Sequence, residues 1–147
     1  MALGATMYRI EVALSDVDRG VYETLDVRAA RHPSESMPYL LTRVLAYCLE
    51  YAEGIAFSKG LSTTDEPAVW IKDMTGDLVA WIEVGSPSAE RIELFAVPGT
   101  LLRALEERID RNTRLELTRT EGQLYVTIGG ATLEGALTQH SLRDPSE

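Results

Sequence analysis

At 147 residues, 45% of them hydrophobic, the chain carries enough apolar mass for one compact domain with its own core. A net charge of −9, from 23 acidic and 14 basic residues, repels phosphate backbones. Nucleic acid is therefore a disfavoured partner, one that would need a local basic patch or bound cations. The single cysteine, Cys48, excludes an internal disulfide, and two histidines with one cysteine leave no ligand set for structural zinc.

No apolar run reaches the roughly 20 residues of a membrane span. The start, "MALGATMYRIE", has no basic region ahead of an apolar stretch. These features predict a cytoplasmic protein without a membrane partner.

Residues 6–14, "TMYRIEVAL", alternate with period two, placing Tyr8, Ile10, Val12 and Leu14 on one face and Arg9 and Glu11 on the other. After the turn formers "SDVDRG", the segment "VYETLDVRA" alternates again through Val21, Glu23, Leu25 and Val27, which predicts a hairpin. A helix follows: Met37, Leu40, Leu41, Val44, Leu45, Cys48, Tyr51 and Ala52 recur at three and four. Ser34 or Ser36 can cap it, Pro38 is tolerable in the first turn, and Gly54 can end it.

A second hairpin joins "AVWIKD" to "LVAWIEV" through Thr75 and Gly76, and its second arm is apolar nearly throughout, as in a central strand. "IELFAV" (92–97) reads as a neighbouring strand. "TLLRALEERIDRN" reads as a helix capped by Thr100, with Leu101, Leu102, Leu105 and Ile109 facing inward. Three short strands, "RLELTRT", "QLYVTI" and "ATLEGAL", then alternate with "EG" and "GG" turns. Neither terminal group of strands buries enough surface alone, so the two are expected to form one antiparallel layer. The end, "QHSLRDPSE", reads as a flexible tail.

Chemistry is suggested by the acids at the ends of the second hairpin. With a turn near residue 75, Glu66 and Glu83 fall about equally far from the apex. Hairpin register then sets either Asp65 or Glu66 about 5 Å from Glu83 at Cβ. Like charges that close need a cation, and hard divalent metals take oxygen ligands of this kind. Glu35, at the head of the first helix, could add a third oxygen. The plainer reading is equally physical: strand-end acids are solvated, and a carboxylate favours a helix N-terminus. His32 reads as a loop or capping residue, and Trp70 and Trp81 as core or sheet-face aromatics.

The stretches "ALGATMYRIEVALSDVDRGVYETLDVRAARHPSE", "GLSTTDEPAVW", "DMTGD" and "WIEVGSPSAERI" together resemble the YaeQ family of bacterial proteins. The likeness runs almost without gaps from residue 2 to 92 and rests on "ARHPSE" and on "DEPxxW" followed by "WIEVGxP". The resemblance implies an α+β fold: a shortened PD-(D/E)xK (restriction-endonuclease-like) core with a mixed sheet and a long helix. Residues 31–110 would form that core, 1–30 with 111–138 an antiparallel lobe, and 139–147 the tail, all in one domain. It also implies a metal site in which Glu83 and Asp65 or Glu66 are the catalytic acids holding Mg²⁺, with Glu35 as the helix acid.

Two departures weigh against activity. Gly85 stands two positions after Glu83, where the nuclease pattern has lysine. YaeQ-like sequences are expected to carry that lysine in a later helix, where this chain reads Glu93, Leu94 and Phe95. Arg91 is a nearby cation but no base, and Lys72 lies close to the turn. The resemblance also implies a segment missing between Ile92 and Val97, which would strip cover from "LVAWIEV". Either "IELFAV" and the next helix replace it or a second copy does, so a homodimer is expected. The favoured expectation is a non-catalytic relative serving as a binding or scaffold protein. The alternative is a Mg²⁺-dependent phosphodiesterase.

Overall fold

The computed structural model describes residues 6–33, 35–57, 69–84, 93–96, 99–136 and 138–141. The two alternating N-terminal segments form β1 (Thr6–Asp16) and β2 (Val21–Arg31), an antiparallel pair whose register matches Ile10 with Val27 and Val12 with Leu25. Period-two alternation puts Ile10, Val12, Leu14, Leu25, Val27 and Ala29 on one buried face.

β1 then pairs with β7 (Asn112–Thr120), which continues through β8 (Gln123–Ile128) and β9 (Ala131–Ala136), giving a sheet of order β2-β1-β7-β8-β9. β1 and β7 are parallel. This corrects the expectation of a wholly antiparallel layer. The long excursion between the strands returns the chain to the starting end of β1, and a connection of that length permits parallel pairing.

The second sheet has the order β10-β6-β5-β4-β3. β3 (Ile55–Phe57), β4 (Val69–Lys72) and β5 (Leu78–Val84) form an antiparallel meander, and β6 (Glu93–Ala96) joins parallel to β5. The apolar run "IELFAV" thus supplies a strand neighbour for β5 from within the chain. β10 (Thr138–Ser141) pairs antiparallel with β6, so residues 139–141 of the expected tail are strand. Its sequence, "TQHS", has no apolar period to announce it; backbone bonding to β6 recruits it. Gly54 connects α1 to this sheet at φ +91°, where an added Cβ would collide with the Lys72 carbonyl oxygen.

Between the sheets lies α1 (Met37–Leu49), packed against β1 and β2 on one side and β3 to β6 on the other. Ser36 is its cap, accepting the Tyr39 N–H at 3.2 Å, and Pro38 occupies the first turn. Leu40, Leu41, Val44, Leu45, Cys48 and Leu49 are buried, each large side chain contributing about 1.5–3 kcal/mol of apolar transfer. Burial pushes the Cys48 thiol up to about 12, so it is an inert core group.

α2 (Gly99–Glu106) covers α1 and β9 with Leu101 and Leu105. It ends earlier than the sequence periodicity predicts. The Asp110 carboxylate accepts from Asn112 N–H at 3.0 Å and from the Thr113 hydroxyl at 2.9 Å, a local turn that competes with further helix.

The turn after β1 ties these layers together. Asp16 and Arg119 face each other across β1 and β7 and form a buried two-point ion pair, Nε–Oδ1 3.0 Å and Nη2–Oδ2 2.8 Å. Asp18 accepts the N–H groups of Glu121 and Gly122 at 2.7 and 3.0 Å, pinning the β7–β8 turn. The Arg19 guanidinium donates to the carbonyls of Leu49 and Tyr51 at 2.7 and 2.9 Å, closing the C-terminal end of α1.

Candidate functional site

The hairpin that carries the predicted acids is β4–β5. Its register sets Val69 opposite Ile82, Trp70 opposite Trp81 and Ile71 opposite Ala80, with an irregularity at Ile71/Lys72. The tip is held by Asp73, whose carboxylate accepts the Thr75 hydroxyl at 2.6 Å and the N–H groups of Thr75 and Asp77 at 2.9 and 3.0 Å. These bonds, that from the Thr75 hydroxyl foremost, hold the Asp73 carboxyl below the usual carboxylate range.

Glu83 follows Ile82 on β5 and stands opposite Leu94 of β6, so its backbone occupies the middle strand of the second sheet. Asp65 and Glu66 lie outside the described residues. Lys72 is engaged close to the tip, its Nζ 3.9 Å from the Trp70 ring centroid.

Glu35 is buried, 3% exposed, and its carboxylate already has a cation. Arg43, two turns further along α1, donates Nε to Oε2 at 3.0 Å and Nη2 to Oε1 at 3.1 Å. The His32 N–H adds a bond to Oε1 at 3.2 Å. The loop is fixed from behind: the Arg31 Nε donates to the Glu35 carbonyl at 2.9 Å and the Glu35 N–H to the His32 carbonyl at 2.8 Å. As placed here, then, Glu35 offers its oxygens to a guanidinium. A divalent ion would have to displace that group, leaving a buried arginine uncompensated. Among the described residues, no cluster of three His, Cys, Asp or Glu side chains is arranged to hold a metal.

Arg43 is the residue that sequence reasoning missed. Its Nη2 also reaches the Ala30 carbonyl at 3.0 Å, and its guanidinium lies 4.8 Å from the Phe57 ring centroid. Phe57 stacks on Tyr47 at 4.9 Å and pairs with Val69, which pairs with Ile82. A continuous path of contacts thus runs from Glu35 through Arg43, Phe57 and Val69 to the residue before Glu83. The available signal was a charge inside "LLTRVLAYCL": an arginine in a helix apolar on nearly every side needs an acid within reach.

Comparison with known proteins agrees with this architecture. The sequence model of the YaeQ protein family matches residues 1–95. An uncharacterised YaeQ protein of Escherichia coli is 39% identical over 94 residues, covering 63% of this chain and 51% of its own length. The Salmonella typhi YaeQ protein is 38% identical over 93 residues, with the same coverage. The chain therefore spans about half the length of the curated relatives it matches.

Structural likeness extends beyond residue 95. The crystal structure of the YaeQ protein from Pseudomonas syringae superposes with a TM-score of 0.84 at 32% identity, covering 93% of this chain and 96% of that one. The YaeQ protein from Xanthomonas axonopodis pv. citri gives 0.83 at 24% identity, covering 93% and 98%, and shows the shared fold. The chain belongs to the YaeQ family.

Proposed function

We propose that this chain is a non-catalytic YaeQ protein that acts as a binding or scaffold protein on a shortened nuclease-like core. The observation that carries the reading is the Glu35 carboxylate, both of whose oxygens are bonded to Arg43 inside the protein. Arg43 is a permanent cation and cannot serve as the proton-accepting lysine of a nuclease. Gly85 occupies the position where that lysine is expected. The nuclease-like core itself is supported by element order: α1, the meander β3–β4–β5, then β6 parallel to β5. The stretch between β5 and β6, 85–92, lies outside the described residues.

A second reading draws support from the β4–β5 register. Val69 faces Ile82, so Glu83 comes next on β5, while Asp65 and Glu66 precede β4 in sequence. In that reading Glu83 with Asp65 or Glu66 would hold Mg²⁺, which when bound supplies a water of lowered pKa and neutralises phosphate charge. Calorimetric titration of Mg²⁺ and Mn²⁺ into the wild type and Glu83→Ala separates the two. The non-catalytic reading expects no binding heat from either protein. Metal binding by the wild type that vanishes in Glu83→Ala, together with metal-dependent cleavage of DNA or RNA, establishes the second reading instead.

A further inference from the structure

The first sheet ends on a strand with an open outer side. β2 is 11 residues long, and among the described residues only β1 pairs with it. Two bonds show which of its backbone groups face outward. The Arg9 N–H donates to the Arg111 carbonyl at 2.9 Å, away from β2, and Arg9 stands opposite Arg28. Opposed residues of an antiparallel ladder either both face each other or both face away, so the Arg28 N–H and C=O point to the open edge. Ala30, two residues on, agrees: its carbonyl accepts Arg43. Tyr22, Thr24, Asp26, Arg28 and Ala30 therefore direct their backbone groups to that edge, with side chains on the exposed face; the Ala30 carbonyl is already bonded to Arg43, so the open stretch runs from Tyr22 to Arg28.

Such an edge templates another strand. We propose that β2 pairs antiparallel with β2 of a second copy of this chain, about a two-fold axis through Val27, joining two sheets into one. Charge selects this register. With the axis at Asp26, two carboxylates meet face to face; at Arg28, two guanidiniums do. With the axis at Leu25, Asp26 meets Thr24 and Arg28 meets Tyr22, without a charge pair.

At Val27 the charges complement one another. Asp26 faces the partner's Arg28 and Arg28 faces the partner's Asp26, on the exposed side. Glu23 faces the partner's Arg31 on the inner side, and Arg31 the partner's Glu23; Arg31 already donates its Nε to the Glu35 carbonyl, so this pair adds less than the first. Opposite-charge pairs across strands stabilise a register and like charges destabilise it. Val27 meets its own copy and Leu25 meets the partner's Ala29, which extends the apolar layer under the sheet. The Arg28 side chain is 65% exposed and lies 3.3 Å from its own Asp26, which also accepts from Arg9 at 2.9 Å. Asp26 and Arg28 are edge-facing, so each facing pair also exchanges two N–H···O bonds.

Sedimentation equilibrium of the full chain across the micromolar range tests the assembly, which is independent of any metal. The expected result is a concentration-dependent dimer that Arg28→Asp weakens about tenfold or more. Combining Asp26→Arg with Arg28→Asp restores the dimer, because the swapped charges again face each other about the same axis. A protein that stays monomeric throughout overturns the proposal. So does a dimer indifferent to Arg28→Asp, or a swap that fails to restore association.

Discussion

Two buried arginine–carboxylate pairs, one at each end of α1, have the same chemistry and different consequences. Asp16–Arg119 joins residues 103 apart and fastens the first hairpin to the C-terminal strands, with Arg19 closing the helix beside it. Glu35–Arg43 joins residues 8 apart, and its further contacts, to the His32 N–H, the Ala30 carbonyl and the Phe57 ring, all lie close to the head of α1. A pair that integrates distant segments explains itself by architecture. A local pair organises only its own end of the helix, so its desolvation is offset by fewer segments than that of Asp16–Arg119.

The largest effect expected from breaking the contrast is at Asp16. Asp16→Ala leaves buried Arg119 with only Asp18 among the described acids, 3.8 Å away, and removes the acceptor of the Arg19 N–H, at a cost of about 3 kcal/mol in denaturant unfolding. Glu35→Gln keeps the shape and one acceptor for Arg43, and costs less, about 1–3 kcal/mol. Replacing Glu35 and Arg43 together by methionine should return stability to near the wild-type value, as paired apolar replacements of buried ion pairs do. If the double variant instead unfolds as readily as Glu35→Gln, the local pair is as architectural as the distant one.

The smallest effect is pH-dependent and belongs to the turn beside Asp16. The N–H groups of Gly122 and then Glu121 hold the Asp18 carboxyl below its ordinary range. A lowered folded value means that the contribution is present above the unfolded carboxylate pKa, about 3.9, and is lost as pH falls through the folded value. The melting-temperature advantage of the wild type over Asp18→Asn should therefore shrink as the solution is acidified below about pH 4. An advantage that holds steady or grows there would mean that the turn is held by something other than this carboxylate.

Much of the fold around these pairs was legible beforehand. The alternation of Ile10, Val12 and Leu14 against Leu25 and Val27 announced β1 and β2, and the stripe from Leu40 to Cys48 announced α1. Less was visible where pairing, rather than side-chain pattern, makes the strand. β3 has three residues and β10 is polar, and each exists because a neighbouring strand offers backbone partners. The parallel match of β1 with β7 depends on where the intervening chain returns, which no local period encodes.

At the candidate site, the sequence pointed to Glu35 but not to its partner. Arg43 lies two helical turns beyond it, outside the three-and-four spacing that marks pairs within a helix. The hairpin joining Trp70 to Trp81 was legible, since Thr75–Gly76 between apolar arms is turn chemistry. Of the acids at its base, the structure describes the backbone of Glu83 alone.

The parallel pairing of β1 with β7 also sets an order of events during translation. Asp16 leaves the ribosome 103 residues ahead of Arg119, a delay of roughly 5–20 s at about 5–20 residues per second. Until β7 is made, α1 can already cover the buried face of the nascent β1–β2 ribbon, but the β1 edge that β7 will occupy stays unsatisfied. A chaperone or a slowed elongation rate would change the yield of this protein more than its final stability.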